Sequence, residues 1–155
     1  MVISRMGARS RATAKSDASL LAERAPAADE LAAYCPDLEE WPRSWMYEER
    51  DLSPGQQVVD YFKPFLRHLL RSELSRKTLR QHRDNLWLLG GELILDLHEG
   101  PRLRKQPIDW VVRAALDDQG GPLISSGASE DQQRSFDMTC RKFHRFLKDR
   151  NPENP

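Results

Sequence analysis

Nowhere does this sequence hold the roughly 20 consecutive apolar residues that cross a bilayer, and its longest helical candidates are studded with arginine. No membrane-spanning segment is expected. No continuous apolar stretch follows the basic residues of segment 1–21, so a secretory signal is not expected either. Cysteine is scarce: Cys35 and Cys140 are the only two. They could form one bridge, but neither a disulfide scaffold nor, alone, a tetrahedral metal site. Both are expected to stay reduced, in a cytoplasmic protein. Net charge is absent too. The 24 Lys and Arg residues offset 24 Asp and Glu, which argues against a nucleic-acid binder that is basic all over and leaves room for a local basic face. No run of β-branched or aromatic residues alternates for long, so strands are not expected.

Catalytic signatures are missing as well. There is no phosphate-binding Walker loop, no dinucleotide fingerprint and no G-x-S-x-G. Two cysteines and four histidines at these separations give no metal spacing, and no cofactor is expected. His68 and Arg71 have an H-x-x-R spacing that puts both on one helix face, within reach of a shared phosphate. They also fit the polar edge of an ordinary amphipathic helix, the simpler explanation. Glu39–Glu40 and Asp117–Asp118 are common surface pairs. The expectation is a protein that is not an enzyme.

What the 155 residues do contain is enough for one domain with tails, at 39% hydrophobic and 31% charged residues. Residues 1–28, rich in Ser, Ala and Arg, read as a flexible tail, and 151–155 as a short C-terminal one. Residues 29–52 read as an acidic, aromatic strap. A short helix at 29–34 is followed by Pro36 and Pro42, which interrupt helix, among Trp41, Trp45, Met46 and Tyr47. Those large side chains suit packing on the helices; exposed, they would mark a protein-binding surface.

Residues 53–150 carry four segments of helical apolar spacing, near 54–72, 75–97, 107–118 and 130–149. Ser53 is expected to cap the first, with Pro54 at its first position, and Pro64 to kink or divide it near Tyr61. Ser75 is expected to cap the second, whose middle Gly90 and Gly91 weaken, either to permit close helix packing or to mark a break. Ser129 and Gln132 have capping-box spacing before the fourth. Leu66, Leu86 and Phe143 are expected to be buried. The fold class is therefore all-α, a compact four-helix bundle with an irregular N-terminal strap.

Charge is unevenly placed. Residues 29–52 balance at −6 and residues 53–105 at +4. From Lys63 to Arg83 there are seven basic residues, opposed only by Glu73. On a helix starting at Ser75, Leu79 points inward and Lys77, Arg80 and Arg83 can face out, with Arg76 and Thr78 at the start. Such a run can neutralise several DNA phosphates. It can equally be a solvated face, or one paired with the acidic strap.

Residues 58–93, VVDYFKPFLRHLLRSELSRKTLRQHRDNLWLLGGEL, resemble the N-terminal core-binding domain of tyrosine recombinases and phage integrases. The family's phrase opening its second helix is matched by Leu74-Ser75-Arg76-Lys77-Thr78-Leu79, with His82 where an aromatic often stands and Leu86 beyond. The closing FDMTCRKFHRFLKDR, 136–150, resembles the family's last helix. The resemblance spans roughly 53–150. It implies a SAM-like bundle forming half of a clamp on double-stranded DNA, with Lys77, Thr78, Arg80 and Arg83 nearest the backbone; Arg76 flanks the start of the same basic run. The family's catalytic residues lie in a separate domain with no counterpart here, so a non-catalytic DNA-binding module in DNA integration or recombination is implied. The alternative is a helical protein-interaction or regulatory domain using Trp41, Trp45 and Tyr47. A positive groove joining 63–83 to 102–105 would favour DNA; an apolar patch at the strap would favour a protein partner.

Overall fold

A computed structural model describes residues 26–150, with side chains from residue 30; the expected tails at 1–28 and 151–155 lie outside the described residues except for 26–28, which are helical rather than tail and open the first helix. Six α-helices follow in chain order: α1 (Pro26–Tyr34), α2 (Trp41–Trp45), α3 (Leu52–Leu70), α4 (Arg76–Glu99), α5 (Ile108–Ala115) and α6 (Glu130–Arg150). Single 3-10 turns lie at Leu38–Glu40, Glu49–Asp51 and Leu103–Lys105. No strand forms among the described residues, and the protein is all-α. No described helix is long and apolar enough to cross a membrane.

The four segments fold as helices, with differences at the start and middle of α3 and at the end of α5, which stops at Ala115 rather than near 118. Ser75 caps α4 as expected, its Oγ accepting the Thr78 amide at 3.1 Å. Ser129 and Gln132 form the reciprocal capping box, with bonds of 3.1 and 2.9 Å. Ser53, however, does not cap α3. The chain enters α3 directly from the Glu49–Asp51 turn, so the helix starts at Leu52 and Ser53 and Pro54 lie inside its first turn. Nor does Pro64 divide α3, which runs unbroken to Leu70. Val58, Val59, Phe62, Phe65, Leu66 and Leu69 are fully buried on both sides of it, and that shared packing outweighs one missing backbone bond.

The strap is more regular than expected. Pro42 sits at the second position of α2, where a missing N–H costs nothing. Leu31, Tyr34, Leu38, Trp41 and Trp45 join the core, the two indoles at 2% and 5% exposure. The opening for Trp45 is Gly90: a Cβ there would lie 2.1 Å from the indole. The Trp45 Nε1–H then donates to the Trp87 carbonyl at 3.0 Å.

Asp51 locks the strap's far end. Its fully buried carboxylate accepts the amides of Tyr47 (2.9 Å) and Glu48 (3.0 Å) and pairs with Arg104 at 3.1 Å. Burial pushes its pKa up, but those amides, His98 and Arg104 together hold it below the usual carboxylate range. The centre of the fold is aromatic. Phe143 of α6 stacks on Phe65 of α3 at 4.5 Å and meets the edge of Phe62 at 5.6 Å. Leu66, Leu86 and Phe143 are all fully buried. Cys35 and Cys140 are unpaired and buried, and burial pushes the Cys35 thiol up to about 12.

Candidate nucleic-acid interface

The end of α3, the start of α4 and the last turns of α6 lie together, because the Phe65–Phe143–Phe146 cluster and the His82–Thr139 contact join them. Of the five residues singled out on α4, three are exposed: Arg76, Lys77 and Arg80. Among the described residues none of the three makes an ion pair or side-chain hydrogen bond. Arg80 lies one turn after Arg76, and Lys77 lies beside them on the outward side.

The other two are engaged by the fold. Thr78 is half-buried, its amide held by the Ser75 cap and its Oγ1 3.0 Å from Ser75 Oγ. Arg83 donates to the Tyr34 carbonyl at 3.1 Å and to Asp84 at 3.0 Å. The Tyr34 hydroxyl donates in turn to the Leu79 carbonyl. The strap thus ties down Arg83, and its Glu39 takes Lys63 at 3.2 Å, while Arg76, Lys77 and Arg80 stay uncovered.

A positive groove joining this surface to 102–105 does not form. The 24 residues of α4 span about 36 Å, and the Leu103–Lys105 turn follows the far end. Arg104 there is committed to Asp51. The basic surface grows instead toward α6, which supplies Lys142 and Arg145. Sequence reasoning missed these two. Their one signal is an i, i+3 basic pair beside the buried Phe143, and only the packing of α6 on α4 brings them close.

Trp41 and Trp45 are core residues, which corrects their role as a partner-binding surface; of that trio only Tyr47 is exposed, its ring 4.9 Å from His98. Two neighbouring hollows sharing Trp87 and Leu88 do lie between the strap and α4. The larger, of about 580 Å³, is lined by Pro36, Asp37, Trp41 and Arg83 among others.

Under the basic surface lies a buried polar network. His82 Nδ1 sits 2.7 Å from Thr139 Oγ1, and Asn85 Nδ2 donates to that oxygen at 2.9 Å and to the Ser135 carbonyl at 3.1 Å. Burial and then Lys142 hold the His82 pKa below its ordinary 6.5. As pH falls, the unfolded imidazole therefore binds protons first. Stability should be full above about 6.5 and decline as pH drops from there toward the lower folded midpoint. Urea denaturation between about pH 8 and 5 checks this. His82→Gln, which can still bond Thr139, should shrink the decline; an undiminished decline would trace it to other groups. Among the described residues no three His, Cys, Asp or Glu side chains gather as a metal site.

No family model matches the chain, and no curated protein and no solved structure matches it significantly.

Proposed function

We propose that the protein is a non-catalytic module that binds double-stranded DNA through the basic end of its bundle. The observation that carries this reading is the set Arg76, Lys77 and Arg80: exposed, unpaired among the described residues, and held on the first turns of a capped helix. A rigid helix presents such cations at fixed spacing, so little order is lost when they meet phosphates. The amides of Arg76 and Lys77 precede the first intrahelical bond and add donors of the same sense. Contacts of this kind position a duplex without reading its sequence, so binding is expected to tolerate many sequences.

Kinship with the recombinase core-binding domain is part of this proposal and rests on the wording of residues 58–93 and 136–150. In that reading the end of the bundle bearing Arg76, Lys77 and Arg80 is the inner face of a DNA clamp. Fluorescence anisotropy with labelled random duplex across a salt series tests the function. Three phosphate contacts predict a slope of log affinity on log salt of about −2.7. Flat salt dependence, or no binding at low salt, would contradict it.

The second reading is a helical protein-interaction domain. The hollow between the strap and α4, with Trp87 at its rim, favours it.

A further inference from the structure

A separate feature lies beside the α4 surface. The last turn of α3 and the final turns of α6 border an open cavity of about 310 Å³ lined by His68, Lys142, Arg145, Phe146, Asp149 and Arg150. Three of these side chains are cationic, and Asp149 alone is negative. The walls are aromatic: the His68 ring lies 4.8 Å from Phe146, and the Arg150 guanidinium sits 5.2 Å from the centroid of Phe146. A stacked guanidinium keeps its edge donors available. Lys142, Arg145 and Arg150 have no ion-pair partner among the described residues.

The charges facing His68 are Arg71, the C-cap of its own helix, and Lys142, Arg145, Asp149 and Arg150 on α6. Burial, then Lys142, then Arg71 lower the His68 pKa below its ordinary value, with Asp149 opposing them. Three cationic side chains against one carboxylate leave the cavity short of negative charge.

We infer that this cavity binds a phosphate monoester, with Lys142, Arg145 and Arg150 taking its oxygens and His68 donating to it as an imidazolium. A monoester suits it better than a backbone diester, since it concentrates nearly two charges and three acceptor oxygens at one point. A free phosphorylated small molecule and the 5′-phosphate of a nucleic-acid end share that chemistry. The inference does not rest on duplex binding by Arg76, Lys77 and Arg80, which lie on a different helix.

The test follows the His68 ring by NMR in the full chain, between about pH 5 and 8, with inorganic phosphate added at constant ionic strength. His68→Gln assigns the signal, and His98, beyond the other end of α4's basic turns, is the internal control. A saturable shift of His68 and an upward move of its titration midpoint are expected, with His98 unmoved. Lys142→Ala and Arg145→Ala should each weaken phosphate binding about tenfold, the value of a charge-assisted hydrogen bond. Lys77→Ala, Arg80→Ala should leave it unchanged. If either alanine variant unfolds, judged by circular dichroism, the glutamine variants Lys142→Gln and Arg145→Gln replace it.

Two further arms separate the sources. Adenosine 5′-monophosphate binding where adenosine does not indicates a free monoester. Tighter binding of a 5′-phosphorylated duplex than of its 5′-hydroxyl twin indicates a nucleic-acid end. Either result upholds the site. No saturable His68 response to any of these phosphates, or full binding in the folded Lys142 and Arg145 variants, overturns it.

Discussion

Phe143→Ala should cost the fold about 3–5 kcal/mol, the range for removing a buried aromatic ring. Phe143 of α6 is fully buried and packs against Tyr61, Phe62 and Phe65 of α3. Its removal leaves a cavity bounded by Phe62 and Phe65, themselves fixed on an unbroken helix, so collapse can recover little of the loss. Against a total domain stability of about 5–15 kcal/mol, the variant should be partly unfolded near 37 °C or melt well below the wild type. Urea denaturation followed by circular dichroism measures it. A loss below about 1 kcal/mol would mean that α6 does not dock on α3 in this register.

Substitution of the two adjacent glycines of α4 should give opposite signs. Gly90→Ala places a Cβ 2.1 Å from the Trp45 ring, 2.3 Å from a second ring atom. Trp45 cannot step aside without losing its bond to the Trp87 carbonyl and its tilted packing on Trp41 at 5.8 Å. Overpacking of this kind costs about 1–3 kcal/mol and can exceed that when a ring must leave its pocket. Gly91→Ala places its Cβ 3.5 Å from Trp45, an ordinary contact, and should stabilise by about 0.5–1 kcal/mol because alanine suits a helix interior better. Denaturation midpoints give the signs, and a red shift of tryptophan emission in Gly90→Ala reports the displaced indole. Two destabilising outcomes of equal size would remove Trp45 as the cause.

Gly90 also shows what sequence leaves open. The glycine pair read as a site of close packing or as a break; α4 is unbroken, and Gly90 admits a tryptophan 45 residues earlier in the chain. Local signals were legible because their partners are near in sequence. Ser75 with Thr78 and Ser129 with Gln132 are three residues apart, and the apolar stripes of α3, α4 and α6 recur every turn. The start of α3 was not legible at Ser53, because Asp51 turns back to the amides of Tyr47 and Glu48 and lets the 3-10 turn run into the helix. The strap's regularity was hidden by its prolines: Pro36 lies in the turn after α1, and Pro42 sits in the first turn of α2 rather than preventing it.

The candidate interface follows the same division. Arg76, Lys77 and Arg80 are exposed because the heptad-like spacing of Leu79, Leu86 and Leu93 leaves them outward. Arg83 reads identically by spacing, yet its guanidinium belongs to the carbonyl of Tyr34, 49 residues away. Lys142 and Arg145 stand about sixty residues from the basic run and join it only through helix packing. Which members of a basic run remain available is decided by such distant partners.

The most direct measurement of the central claim is anisotropy of labelled duplex DNA with the wild type and with Lys77→Ala, Arg80→Ala over a salt series. Both positions lie outside the apolar stripe and bond to nothing among the described residues, so the double variant should keep its melting temperature. It should bind more weakly, with the salt slope shallower by about 2 units, one for each lost phosphate contact. A folded double variant with unchanged affinity and unchanged slope would contradict the account and remove α4 from the DNA-binding surface.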